Sequence, residues 1–448
     1  MPEEIGALAS ALRNGELSAV ALLERCLERI EKQNGVLNAF IAIDREGAYR
    51  AARESDARLA KGQARSALEG IPLSIKDNLL MAGLRATWGS RAFESYVPDH
   101  DELPVTRLRQ AGAVLIGKTN VPELTLEGYT SNDIFGVTRN PLDPRLTPGG
   151  SSGGAAASVA ASLVPGAIGT DGGGSIRRPA SHTGLVGWKP SIGRIARASG
   201  FPSILTDFEV IGTLTHSVAD ARLLDAAMRG PDVYDRRSLM TPPQPRKDDK
   251  PRVLYVARFG QSPVDPEVIS ATDAFAERLA QGGADVETGD CFFDLEMTHR
   301  IWRVISRAGV DYLMRLHPAL ADLAGPSVQS MAEDGRTISG AEYLEALEGV
   351  TALREQMVDV FRQYDLILTP SAAALPWPAE QPFPTVIDGK DAGPRDHAVF
   401  TGWVNIAGLP AISLPIGQSA GGLPIGAQLI GAFGSDTSLL DFAEQAIQ

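Results

Sequence analysis

Cysteine is nearly missing: Cys26 and Cys291 are the only two in 448 residues. They exclude a disulfide-framed secreted scaffold and point to a reducing compartment. Cations are also in deficit, 42 Lys and Arg against 55 Asp and Glu, for a net charge of −13. Nucleic acid and anionic membranes both need clustered positive charge, so neither is an expected partner. Long apolar runs are absent too. The most apolar stretch, Gly153 to Gly169, is mostly Ala and Gly, contains Pro165, and reads as a buried helix of small residues rather than a membrane span. The opening residues, MPEEIGALAS, place acids where a secretion signal needs positive charge. These deficits predict a cytoplasmic protein; the sequence also shows no internal repeat and no low-complexity tract.

What remains is an ordinary globular composition, 44% hydrophobic and 22% charged. Ser18 stands as an N-cap before apolar residues at helical spacing, Val20, Leu23, Leu27 and Ile30. Ile71 to Ile75 and Val114 to Ile116 are short apolar runs bounded by Gly, Pro or polar residues, as buried strands are. Residues 252–256 predict a further strand, Pro266 to Ala280 a helix and Ala284 to Glu287 a returning strand. Residues 240–251 are rich in Pro and charge and read as a linker; the Pro-rich residues 370–395 read as surface. Strand and helix signals interleave on both sides of the linker, which predicts an α/β layer architecture. Periodicity leaves open whether there is one sheet or two.

Three segments depart from what a packed core needs. The first, Gly70-Ile-Pro-Leu-Ser-Ile-Lys76-Asp-Asn78, is a strand-like run that ends on a lysine. The second is Pro148-Gly-Gly-Ser151-Ser152-Gly-Gly154. The third is Gly169-Thr-Asp171-Gly-Gly-Gly-Ser175-Ile-Arg177. Dense glycine lets successive backbone N–H groups converge on a developing oxyanion, and a serine closing such a run has its hydroxyl beside those donors. A serine needs a base, and a desolvated, neutral lysine can replace histidine in that role. Among the six histidines, only His182 adjoins one of these segments, and a structural role in the following turn is its preferred reading.

In this order and at this spacing, the three segments resemble the amidase signature family. The resemblance continues through Gly184 to Pro190 and Leu214 to Asp220, and resumes in Asn405 to Pro415 and Gly422 to Ile430. It implies one amidase signature domain over residues 1–448, with a signature core at about 65–220 and a more variable substrate-pocket region at about 230–350. The implied fold is a large mixed β-sheet flanked by helices on both faces. The implied chemistry is cleavage of a carboxamide C–N bond by a Ser–cis-Ser–Lys triad. Ser175 would attack the carbonyl, and Ser151, preceded by a cis peptide, would relay its proton to Lys76. The N–H groups of Gly172, Gly173, Gly174 and Ser175 would form the oxyanion hole. No metal or organic cofactor is implied. Gly172 and Thr213 depart from the family pattern, where a larger residue and a proline are more common. Arg177 is expected to brace the loop against Asp171, and Arg178 is read as a solvated surface arginine in preference to one facing substrate.

Two other motifs compete. Gly112 to Thr119 spells a P-loop, but its strand lies inside the pattern instead of before it, and Pro122 follows, so Lys118 is expected to meet a local carbonyl or carboxylate, or solvent. Gly149 to Gly154 satisfies G-x-S-x-G twice, which would require a preceding strand and a late histidine such as His397; the preceding Asn140 to Pro148 is instead a proline-rich loop. The expected partner is a small-molecule amide, and the sequence is compatible with a homodimer. The alternative is the amide-cleaving subunit of a glutamine-dependent tRNA amidotransferase, with tRNA left to partner chains. Candidates for the pocket wall are Leu126, Glu127, Tyr129, Phe201 and the helical region Ile301 to Met331.

Overall fold

A computed structural model describes residues 3–239 and 250–447; most of the linker-like stretch at 240–251 therefore lies outside the described residues. One sheet of eleven strands runs through both halves of the sequence. Its strands are β1 (Phe40–Ile43), β2 (Pro72–Lys76), β3 (Val114–Thr119), β4 (Gly166–Asp171), β5 (Val186–Lys189), β6 (Val210–Thr215), β7 (Arg252–Tyr255), β8 (Asp285–Thr288), β9 (Leu366–Pro370), β10 (Ala411–Gln418) and β11 (Pro424–Gly431). Their spatial order is β1-β3-β2-β4-β6-β5-β10-β11-β9-β7-β8.

The sheet is mixed. β3, β2 and β4 run parallel, as do β9, β7 and β8, and antiparallel pairs join these two blocks. Parallel strands covered on both faces read as continuous apolar runs. Accordingly every residue of β2, β3 and β4 is buried. Helices cover both faces, and the buried apolar side chains fall into two clusters, one drawn largely from each half of the chain.

Most local expectations hold. Ser18 caps the helix Ala19–Leu37 by accepting from the Ala21 N–H at 3.0 Å, and Leu23, Leu27 and Ile30 are buried on it. The second-half unit follows its pattern, with β7, the helix Pro266–Gln281 and β8 in parallel register. Two expectations change. Gly153 to Gly169 is not one helix: it turns after the helix Gly153–Ala160 and becomes β4. Residues 371–379 are largely buried rather than surface, because Trp377 packs against His182 and His397 beneath the second glycine-rich segment.

The parallel pairing of β2 with β4 is what builds the site. Ile75 lies opposite Ile168, so both strands end on the same side of the sheet, β2 on Lys76 and β4 on Thr170 and Asp171. The loop that carries Ser175 leaves directly from that edge.

Candidate active site

Lys76 ends β2 with no solvent exposure. Its Nζ lies 2.8 Å from Ser151 Oγ, 2.9 Å from Thr170 Oγ1 and 3.1 Å from Thr170 O. Burial pushes its pKa down to about 7, against the opposing pull of the nearby Glu209 and Asp171 carboxylates. Asn78 extends the contact, donating to Thr170 Oγ1 at 3.0 Å and to Glu209 Oε1 at 3.4 Å.

Ser151 sits in the turn before the helix Gly153–Ala160, and the Gly150–Ser151 peptide is cis. Thr130 holds this turn from below: its hydroxyl donates to Gly149 O at 2.9 Å and accepts from the Gly153 N–H at 3.1 Å. Ser152 N–H donates to Ser175 O at 3.2 Å, which ties the second glycine-rich segment to the third. Ser175 opens onto the adjoining cavity, whereas Ser151 is 1% exposed. No hydrogen bond joins the two serine hydroxyls among the described residues; such links are often loose until substrate is bound.

Asp171 organises the third segment. Its carboxylate accepts from the N–H groups of Gly174 (2.7 Å) and Ile176 (3.1 Å), from Asn405 Nδ2 (3.0 Å) and from the Arg177 guanidinium (2.9 and 3.0 Å). Burial alone would raise its pKa, but the Arg177 charge and these donors hold the carboxyl well below the ordinary range. Arg177, itself fully buried, also donates to Gln428 Oε1 and Thr401 O. The expected brace between Arg177 and Asp171 is therefore present. It has one consequence for the glycine run: the Gly174 N–H is committed to Asp171. Among the described residues, the N–H groups of Gly172, Gly173 and Ser175 donate to no protein acceptor.

The cavity beside Ser175 has a volume of about 550 Å³. Leu126 and Glu127 line it, as do Trp302, Arg303, Ser306 and Met331 from the helical region singled out in the sequence. Tyr129 and Phe201 do not. Tyr129 lines a smaller separate cavity, and its backbone packs against Gly150; Phe201 stacks on Trp88 with ring centroids 4.7 Å apart. Arg178 is not a surface residue: it is 3% exposed and lines the cavity, donating to Gly173 O, to Thr401 Oγ1 at 3.0 Å and to Gly150 O at 3.2 Å.

Four side chains at the site escaped the sequence reading. Thr170 and Asn78 lie inside segments already singled out, and their polarity at a buried strand end was an available signal. Glu209 and Thr401 come from distant parts of the chain, and no local pattern marks them. Among the described residues no histidine hydrogen-bonds to Lys76, Ser151 or Ser175. His182 is buried, its Nε2 3.2 Å from Ala374 O, and burial pushes its pKa down to about 4. His397 is buried with neither ring nitrogen hydrogen-bonded among the described residues. The P-loop look-alike is β3, and Lys118 Nζ forms a fully buried ion pair with Asp77 at 3.1 Å.

Known proteins resemble this chain along nearly its whole length. The Amidase family model matches residues 21–440. A glutamyl-tRNA(Gln) amidotransferase subunit from Synechococcus sp. (strain WH7803) is 36% identical over 97% of this chain and 94% of its own length. A bacterial aryl acylamidase of the amidase signature family superposes with a TM-score of 0.91 at 26% identity, covering 99% of this chain and 95% of that one. A structure described as revealing the evolutionary origins of an s-triazine catabolic enzyme gives a TM-score of 0.90 at 29% identity, covering 100% and 98%.

Proposed function

The chain belongs to the amidase family and cleaves amide C–N bonds, and from that premise we propose that Ser175, Ser151 and Lys76 form its catalytic triad. The observation that carries this reading is the three-way contact of Lys76 Nζ with Ser151 Oγ, Thr170 Oγ1 and Thr170 O. A neutral lysine offers two N–H bonds and one lone pair. The Thr170 carbonyl can only accept, and Thr170 Oγ1 already receives Asn78 Nδ2. The carbonyl takes one N–H, which leaves one N–H and the lone pair for the two hydroxyls, and on this reading Ser151 is the hydroxyl that meets the lone pair.

On this reading Ser151 gives its proton to Lys76 as it takes one from Ser175. Ser175 Oγ adds to the carbonyl, and the oxyanion is met by N–H groups of Gly172, Gly173 and Ser175, with Gly174 holding the loop rather than the charge. The proton returns through Ser151 to the leaving nitrogen, ammonia or an amine departs, and water releases the carboxylate from Ser175. We take the whole chain as one domain, because a single sheet draws its strands from both sides of residues 240–249, and its substrate as a small-molecule amide.

A second reading is favoured by the curated relatives, whose name makes them subunits of a glutamyl-tRNA(Gln) amidotransferase. The same triad would then release ammonia from glutamine for a partner chain, and the acidic balance leaves tRNA contact to that partner. Ammonia release by the purified chain from a panel of small amides tests the free-standing reading. Activity confined to glutamine, and only with a co-purifying chain, would replace it by the subunit reading.

A further inference from the structure

Two arginines at this site are buried, Arg177 and Arg178, and only the first is paired. Arg177 is bound to Asp171, and the half-buried Arg197 nearby to Glu102 and Glu209. Arg178 meets only neutral acceptors, the carbonyls of Gly173 and Gly150 and the Thr401 hydroxyl, and its Nε is buried without a partner. Arg395, exposed at the rim, reaches the same cavity wall, with its guanidinium 4.5 Å from the centroid of the Trp302 ring. Among the described residues neither arginine forms an ion pair.

The nearby acids are spoken for or stand apart from Arg178. Asp396, on the same cavity wall as Arg395, accepts from the Gly393 N–H at 2.7 Å and pairs with no cation among the described residues. Asp171 is saturated by its own loop and Arg177, and Glu209 is held by Arg197. Glu127 accepts from Ser327 Oγ at 2.8 Å and pairs with no cation among the described residues, although its charge is felt at Arg395. His397 is held neutral by burial and then by the charges of Arg178 and Arg395. Burial and the Arg395 charge also weaken the hold of Arg178 on its proton, although a guanidinium stays charged. Arg178 thus leaves a buried charge unpaired beside the cavity, which is expensive unless a ligand supplies the counter-ion, and the exposed Arg395 and Arg303 add positive charge at the same wall. Arg178 bonds the carbonyl of Gly173, two residues before Ser175, and lines the same cavity as Ser175, so an anion held there shares that cavity with the carbonyl under attack.

We infer that the substrate is an amide bearing a carboxylate close to its scissile C–N bond, and that this carboxylate binds between Arg178 and Arg395. The inference rests on the reading of Ser175 as nucleophile. The reaction itself balances as hydrolysis: the monoamide of a short dicarboxylic acid takes up water and yields the dicarboxylate and ammonium.

The test compares succinamate with butyramide, which has the same chain length without the charge, and adds malonamate and glutaramate for reach. Wild-type protein is expected to favour the best carboxylate amide over butyramide at least tenfold in kcat/KM, with the preference shrinking as salt is raised. Arg395→Gln is expected to bring the ratio to within about threefold of unity, chiefly through KM, and Arg395→Lys to keep part of it. Arg178→Gln also cuts loop contacts, so Arg395 is the primary variant. Calorimetry on Ser175→Ala reads binding without turnover, and should show saturable binding of the carboxylate amide that Arg395→Gln weakens at least tenfold. A ratio near unity in the wild type, a ratio unmoved by Arg395→Gln, or no saturable binding of any carboxylate amide would overturn the inference. Covalent labelling of Ser175 by a serine-directed probe separates the two claims: if Ser175 labels, only the substrate class has failed; if it does not, the nucleophile reading has failed with it.

Discussion

Lys76 Nζ stands 2.8 Å from Ser151 Oγ, and both its other contacts go to Thr170, at the end of the neighbouring parallel strand. A single strand pairing thereby gives the lysine both its orientation and its dryness. The lysine must be neutral to accept a proton, and burial puts its pKa at about 7. Below that value Lys76 is charged and the relay is blocked; above it the relay is open. The pH profile of kcat/KM should therefore rise through a limb near 7 and flatten on the alkaline side. Lys76→Ala and Lys76→Arg should each lose on the order of 10³-fold or more, since a guanidinium cannot give up its proton. An active Arg variant would remove Lys76 from the role of base.

Glu209 supplies a check on that assignment. Its carboxylate is linked to Lys76 through Asn78 and Thr170, and its negative charge favours the protonated lysine. Glu209→Gln should therefore move the limb to lower pH. A limb that stays in place or moves up would show that another group titrates there.

Gly174 has φ +109°, and a Cβ built on it falls 2.2 Å from Thr401 Oγ1 and 2.5 Å from Arg178 Nη1. Any side chain there strains the backbone, at about 1–3 kcal/mol, and displaces the N–H that Asp171 holds. Gly174→Ala should lose at least about 10²-fold in kcat, comparable to the loss of one oxyanion donor, with a lowered Tm. Activity within threefold of wild type would show that the Asp171 anchor does not position the loop.

Lys118 offers a stability test. The sequence alone predicts a modest penalty for Lys118→Ala, from a lysine meeting a local acceptor. The structure raises that figure, because Lys118 and Asp77 are paired at 3.1 Å with no exposure of either side chain. Removing one partner of a buried pair costs about 3–5 kcal/mol, measurable by denaturant unfolding. Calorimetry with Mg-ATP should show no binding to either form. Saturable binding at micromolar nucleotide, lost in the variant, would restore the P-loop reading.

Lys76, Ser151 and Ser175 stand out in the sequence because they lie in three segments whose composition no packed core would choose, and the structure brings Lys76 Nζ to 2.8 Å from Ser151 Oγ. Lys76 was marked by an apolar strand ending on a charge, Ser151 and Ser175 by the glycine around them. Strand β3 was legible for the opposite reason, since Val114 to Ile116 is too apolar for a phosphate loop. The pocket wall was half legible. Leu126 and Glu127 line it, whereas Tyr129 lines a separate cavity and Phe201 stacks on Trp88. Arg178 was misjudged because arginine is seldom buried; three neutral acceptors brought together from different parts of the chain bury it here. Thr401 lies 228 residues from Gly173, whose carbonyl it binds, and no local pattern records such a pairing. Gly174 shows the same limit at short range: a glycine run announces converging N–H groups without saying which one the anchoring carboxylate will take.

The central claim is that Ser175 carries the acyl group. A fluorophosphonate probe followed by peptide mapping reads this directly, with Ser175→Ala as the matched control. The account predicts one adduct, on Ser175, with loss of amide hydrolysis in step with labelling, and a folded Ser175→Ala protein that neither labels nor turns over, its activity down by on the order of 10⁴-fold. An adduct mapped to Ser151 or Ser152, or near-normal hydrolysis by Ser175→Ala, would contradict it.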